Sequence, residues 1–383
     1  MAERDDGHRL DGLFTVLRPR WRYGDYISAH LSEVADAGVV TTVADTITQI
    51  EQQGSGYTLS TQSGDRITAD LVFLCLGNPP PSPFPNVQPS HRSITNVWVA
   101  RALDDIGIDD RVLVIGTGAT AVDVVIDLMR RGLRQPITMI SRRGLLPLVD
   151  APAETDPDPL ETWPELTTRG IFAALLKDTR RKLAAGISWQ TSIDTFRLQI
   201  AGLWADASPA ERLRFSRHLR SIWLVHRHRL APDVAQHLDQ LRREQRLDVV
   251  AGRLLSAIAT PAGYDVTIRK RGGAITTLAP NWILNCTGPE ERYDRIGNPL
   301  VAAMLDTGFA RRGHGGIGLD VDDSCRLLDC NGSAHPGAYV VGHATRGAFW
   351  EVTAVSNIRQ QVLGIVEALQ MSKTTKAIRQ ETV

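Results

Sequence analysis

Residues 111–143 read RVLVIGTGATAVDVVIDLMRRGLRQPITMISRR, and this stretch decides the fold. Residues 112–115 form an uninterrupted apolar run, the pattern of a strand buried on both faces. The run leads directly into Gly116-Thr117-Gly118-Ala119-Thr120-Ala121, a G-x-G-x-x-A turn. Val122, Val125, Ile126 and Met129 then recur at helical spacing, Gly132 ends the helix, and residues 137–140 supply a second apolar strand. Strand, glycine turn, helix and strand within about thirty residues compose one βαβ unit.

Each residue type in the turn has its own chemical reason. Gly116 permits the tight turn, Gly118 lets a pyrophosphate approach the backbone, and Ala121 is small enough for helix and strand to pack closely. The N–H groups and positive dipole end of the helix face the phosphates. An acidic residue at the end of the second strand would accept the ribose hydroxyls of NAD, whereas Ser141-Arg142-Arg143 stands there and suits a 2′-phosphate. The expected ligand is therefore NADP(H).

The chain has 383 residues, room for two domains and a sizeable core. Lysine plus arginine balance aspartate plus glutamate at 43 each, which argues against nucleic acid or an acidic membrane surface as partner and leaves small molecules. The opening MAERDDGHRL has no apolar signal region, and no later run approaches the roughly 18 apolar residues of a membrane span. Four cysteines in so long a chain suit reduced thiols and a cytoplasmic setting. No metal site is expected: His226 and His228, two residues apart, face different sides of a helix and have no acidic or cysteine partner nearby.

Along the chain, residues 23–37 read as a helix with Ile27, Leu31 and Val34 on one face. Strand-like segments follow at 38–43, 56–59 and 70–77, the last ending in Cys75-Leu76-Gly77 and a proline-rich exit. The same order returns at 248–252, 263–268 and 281–288, where Gly263-Tyr264 matches Gly56-Tyr57 and Cys286-Thr287-Gly288 matches Cys75-Leu76-Gly77. A duplication of this length points to two related nucleotide-binding domains. In the first copy no strand with G-x-G-x-x-G precedes Cys75, so either the chain is truncated relative to a longer parent or its first domain has degenerated.

The fold class expected is α/β: two Rossmann-like dinucleotide-binding domains, the first incomplete, with a helical insertion. A partial FAD-binding domain spans 1–99, an NADP-binding βαβ unit 100–150, the insertion 151–247, the end of the NADP-binding domain 248–290, and a return to the FAD-binding domain 291–383. The loop at 151–164 is crowded with proline and acidic residues, and 171–246 is helical in pattern, capping the second domain. Within it residues 221–232, SIWLVHRHRLAP, either line an anion site or form a basic solvated face. Near the end, residues 337–355 give a short apolar strand, a glycine turn and a new helix.

These residues resemble a known group. The plan is similar to that of two-dinucleotide-domain flavoproteins, in which an NADPH domain interrupts an FAD domain, as in flavin-dependent monooxygenases. Residues 21–27, 223–232 and 342–354 resemble a bacterial group of FAD/NAD(P)-binding proteins related to flavin-dependent urate hydroxylase and amino-acid N-oxygenases. The resemblance implies that Gly342 to Thr345, with Arg346, approach the flavin ribityl chain and pyrophosphate, although His343 stands where many relatives place an aspartate. It implies that Trp350, Glu351, Thr353 and Ala354 begin a helix near the flavin ring, and that Arg20 and Tyr23 touch the cofactor. The family's first G-x-G-x-x-G is absent from this sequence, so the adenosine half of FAD has no evident site in it.

The implied activity is that of a flavoprotein oxidoreductase of monooxygenase type, in which NADPH reduces FAD and the reduced flavin activates O₂ on a small polar substrate. Two alternatives stand beside it. One is a disulfide reductase built on the C-x₄-C pair Cys325 and Cys330. The other is a chain that binds NADP(H) alone and is not catalytic.

Overall fold

The computed structural model describes residues 20–151 and 167–381, with side chains for 22–151 and 167–371. In chain order the helices are α1 (Arg20–Asp36), α2 (Ala119–Arg130), α3 (Thr168–Ala184), α4 (Trp189–Asp206), α5 (Pro209–His218), α6 (Arg220–Arg227), α7 (Pro232–Arg243), α8 (Pro299–Asp306) and α9 (Val355–Glu381). The strands are β1 (Ile47–Gln53), β2 (Gly56–Thr61), β3 (Arg66–Ala69), β4 (Val72–Leu74), β5 (Ser93–Ile94), β6 (Val112–Ile115), β7 (Ile137–Ser141), β8 (Leu247–Thr260), β9 (Gly263–Lys270), β10 (Ile275–Leu278), β11 (Trp282–Asn285), β12 (Arg326–Leu328) and β13 (Ala334–Val340).

The apolar run of β6 is buried at all four positions because it is central in a seven-stranded sheet of order β10-β9-β8-β7-β6-β11-β5. Strands β8, β7, β6, β11 and β5 run parallel, and β9 and β10 extend the sheet antiparallel. Helix α2 covers one face, burying Val122, Val125 and Leu128, while Leu113, Ile115 and Ile140 point into a second cluster on the other. Burial of both faces is what licenses a parallel sheet.

The duplication is visible in three dimensions. β1-β2-β3 and β8-β9-β10 are both antiparallel meanders, each followed by a short parallel strand, β4 or β11. Tyr57 and Tyr264 open the middle strand of each meander and are buried. Gly77 and Gly288, just past the short strands, are both left-handed, at φ 67° and 89°. β4 lies beside β13 in a second sheet of order β12-β13-β4, and the core beneath includes Ile50, Leu300, Val301 and Leu319.

Three expectations need correction. The first strand of the first copy is β1, not 38–43, where Val39 and Val43 expose their side chains. β-branched residues favour strands only where a neighbour pairs with them, and β2 pairs with 47–53 instead. The helical insertion also divides: α7 buries Ala235, Leu238 and Leu241 in the same cluster as β6 and α2, so it belongs to the Rossmann layer. Helices α3, α4 and α6 instead build a separate cluster with Trp350 from the C-terminal segment. Finally, the last helix starts at Val355, after Trp350, Glu351, Thr353 and Ala354. Among the described residues no helix is long and apolar enough to cross a membrane. The proline-rich loop expected at 151–164 lies, from residue 152 onward, outside the described residues.

Candidate functional site

The dinucleotide turn follows from how β6 ends. Gly116 takes φ 121°, and a Cβ there would lie 2.3 Å from the Cys286 carbonyl oxygen, so only glycine lets the turn close against the end of β11. Gly118 is different: the space its Cβ would occupy is open to 4 Å. It is the N-cap of α2, and no side chain caps that helix. The first N–H groups of α2 therefore have no side-chain cap and stand at the positive end of the helix dipole, next to the open space at Gly118, the arrangement a phosphate needs. Ala121 is fully buried, as the close packing of helix on strand demands.

Thr117 stitches the turn to the end of β7. Its hydroxyl donates to the Leu145 carbonyl at 2.6 Å and lies 2.9 Å from the Ser141 hydroxyl, which in turn accepts from the Gly144 N–H at 3.0 Å. Arg142 is exposed and has no ion pair among the described residues, and Arg143 donates to the His218 carbonyl at 2.8 Å. Two guanidinium groups with no carboxylate partner among the described residues, beside a phosphate-binding turn, fit NADP(H) and its 2′-phosphate.

The second glycine turn, Gly342 to Thr345, is a short 3₁₀ segment buried at every residue. Gly342 is left-handed at φ 79°. Gln361 of α9 holds the turn from behind, accepting from the Gly342 N–H and donating to the Thr345 hydroxyl, both at 2.9 Å. The His343 ring stacks on Tyr293, its Nδ1 is 3.2 Å from the tyrosine hydroxyl, and its Nε2 is buried without a partner. Burial, followed by the nearby Arg346 charge, holds His343 down to about 4, so it is neutral at physiological pH. An unpartnered neutral imidazole nitrogen beside a glycine turn fits a hydroxyl-bearing chain such as the flavin ribityl group. Neither turn is matched by a second G-x-G-x-x-G among the described residues, so the fit to FAD covers the flavin end and not the adenosine end.

Beyond the turn the chain is bound to the insertion. Arg346 and Arg220 share Glu291, at 2.7 and 2.6 Å, and both guanidinium groups lie over Trp350, at 4.4 and 5.7 Å from its ring centre. Trp350 is buried against Trp204, with ring centroids 4.7 Å apart. Glu351 accepts from the Trp223 indole at 2.8 Å and from Arg227 at 2.9 Å. Trp350 and Glu351, expected near the flavin ring, thus face the helical insertion, while Thr353 is exposed. Residues 221–232 form neither a solvated face nor an open anion site: Trp223 and Leu230 are buried, and Arg229 pairs with Asp150 and Asp194. Tyr23 is on α1, half exposed and stacked with Tyr26, and the structure does not bring it to either turn; the Arg20 side chain lies outside the described side chains.

Sequence reasoning missed Glu291, Tyr293 and Gln361. The first two had a signal, since they follow directly on the second copy's ending, Cys286-Thr287-Gly288. The Cys325–Cys330 pair is not cross-linked. Cys325 packs with Tyr339, Val341 and Ile365, and burial pushes its thiol up to about 11, whereas Cys330 is exposed and contacts the Gly308 turn.

Comparison with known proteins agrees with this architecture. An FAD-NAD(P)-binding family model matches residues 9–79. No curated protein sequence matches the chain. The chain has the fold of the two-dinucleotide-domain flavoproteins. It is similar to the ornithine hydroxylase of Pseudomonas aeruginosa, with a TM-score of 0.61 at 16% identity, over 94% of this chain and 78% of that one. It is likewise similar to the ornithine N-hydroxylase of Kutzneria sp. 744, solved with reduced FAD, NADP⁺ and L-ornithine, at 0.61 and 17% over 92% and 77%. For the L-lysine 6-monooxygenase of Pseudomonas syringae the values are 0.60 and 18% over 94% and 78%.

Proposed function

We propose that this protein is an FAD-dependent, NADPH-using oxidoreductase of monooxygenase type that acts on a small polar molecule in the cytoplasm. The observation that carries it is the glycine turn at 116–121, with open space at Gly118, an uncapped α2, and Arg142 and Arg143 without an acidic partner among the described residues, set in a fold shared with flavin N-hydroxylases. Residues 100–150 and 248–290 hold the nicotinamide dinucleotide. Residues 1–99 and 291–383 hold the flavin, with Gly342, His343 and Arg346 at its polar chain.

The roles of the chain's own residues follow from their chemistry. The α2 N-terminus binds the pyrophosphate and Arg142 the 2′-phosphate. His343, neutral and with one free ring nitrogen, hydrogen-bonds a cofactor hydroxyl without carrying charge into the site. The Glu291, Arg220 and Arg346 network fixes the turn against the insertion. A flavin held there would supply the redox and O₂-activating chemistry, with NADPH as the reductant.

The test is oxygen uptake by the purified chain with NADPH, with and without FAD. NADPH oxidation that depends on FAD and consumes O₂ supports the proposal. NADPH that binds but is never oxidised in the presence of FAD contradicts it and leaves NADP(H) binding as the function.

A further inference from the structure

Helices α3 to α6 surround a cavity of about 250 Å³ that no residue of either glycine turn lines. Its wall is almost wholly apolar, with Phe172, Leu175, Ile193, Phe196, Trp204 and Phe215 among the lining residues. Protein interiors close such voids, because lining atoms with no contact partner forfeit packing energy. A dry cavity of roughly 150 Å³ already accommodates benzene, so this one has room for two fused rings. On the α3 side the lining residues Ile171, Phe172 and Leu175 are only half-buried and Leu176 is exposed, which gives a ligand a way in.

Among the described residues, the wall carries one charge without a counter-charge. Arg212 donates through Nε to the Ala207 carbonyl at 3.1 Å and through Nη2 to the Ala205 carbonyl at 3.0 Å, with Nη1 3.5 Å from the Gly347 carbonyl. Its guanidinium lies over the Trp204 ring, 5.3 Å from the centre. None of these partners is a carboxylate; Asp320 acts on it only beyond ion-pair distance. The neighbouring Glu211 is already committed, accepting from the Thr168 N–H at 2.6 Å and pairing with Arg214. A guanidinium uses its remaining N–H groups best on a planar carboxylate.

We propose that this cavity binds a small aromatic carboxylate, its rings among Phe172, Phe196, Trp204 and Phe215 and its carboxylate on Arg212. The site is separate from the dinucleotide turn and does not depend on flavin being bound. It is one side chain away from the C-terminal segment, since Trp204 also donates to the Gly347 carbonyl at 3.0 Å.

The experiment is a titration of the full chain with 2-naphthoate, followed by tryptophan fluorescence and by calorimetry, alongside neutral naphthalene and cationic 2-naphthylmethylamine. Naphthoate is expected to bind at least tenfold more tightly than the amine. Arg212→Gln is expected to weaken naphthoate at least tenfold while leaving naphthalene unchanged, and Arg212→Lys to retain part of the preference. Leu175→Trp, which fills the cavity, is expected to abolish binding of all three without lowering the melting temperature. No binding of naphthoate, equal binding of acid and amine, or an unchanged naphthoate affinity in a folded Arg212→Gln protein would overturn the proposal.

Discussion

The indole Nε1 of Trp223 donates to Glu351 Oε1 at 2.8 Å, joining the helical insertion to the segment that follows the second glycine turn, 128 residues away. The other oxygen of Glu351 takes Arg227 at 2.9 Å, and both charged side chains are about nine-tenths buried, at 12% and 10% exposure. Removing one partner from such a pair strands the other. Glu351→Ala is therefore expected to destabilise the protein by about 3 kcal/mol, and Glu351→Gln, which keeps an acceptor for Trp223, by less. Urea denaturation of the two variants distinguishes these outcomes.

The two glycines of the dinucleotide turn separate folding from binding. Gly116→Ala places a Cβ 2.3 Å from the Cys286 carbonyl oxygen at φ 121°, and about 2–3 kcal/mol of stability is expected to be lost. Gly118→Ala meets open space, so the melting temperature should hold while NADPH affinity falls about tenfold, worth about 1.4 kcal/mol. Thermal melts and calorimetric titration of both proteins check the pair.

Arg142 is exposed and has no acidic partner among the described residues, so its charge is available to a 2′-phosphate. Arg142→Ala should lower NADPH affinity about tenfold, the loss of one charge-assisted hydrogen bond, and leave NADH affinity unchanged. Equal losses for the two nucleotides would place the 2′-phosphate elsewhere.

His343 makes stability depend on pH in a defined direction. Burial, then Arg346, holds the folded residue down to about 4 from its ordinary value of 6.5. Between those values the unfolded chain takes up a proton that the folded chain refuses. The contribution is therefore complete above about pH 6.5 and is lost as pH falls toward 4. Glu291 and Arg220 also face the ring, and Tyr293 stacks on it, its own hydroxyl pushed up by burial. His343→Gln should make the loss of stability between pH 7 and pH 4.5 smaller, by on the order of 2–3 kcal/mol, in denaturation curves taken across that range.

The dinucleotide turn was legible because its signal is local: an apolar strand, fixed glycine spacing and a helical period lie within one βαβ unit. The duplication was legible for the same reason, through Tyr57 and Tyr264 and the paired glycines Gly77 and Gly288. What the sequence hides is pairing at long range. Trp223 with Glu351, and Arg220 with Glu291, are 128 and 71 residues apart, and no periodicity links them. The segment at 38–43 misled because β-branched residues advertise a strand whether or not a neighbour exists, while Ile47–Gln53 forms the strand in spite of its polar run. The start of α9 was misplaced because Trp350 and Glu351 are apolar and acidic in the way a first turn prefers, yet both are consumed by contacts to the insertion.

The most direct measurement is the visible absorbance of the purified chain, recorded as isolated, after FAD, and after NADPH in the absence of oxygen. Flavin bands that stay with the protein through gel filtration and bleach on NADPH are expected. A colourless protein that retains no added FAD would contradict the flavoenzyme assignment.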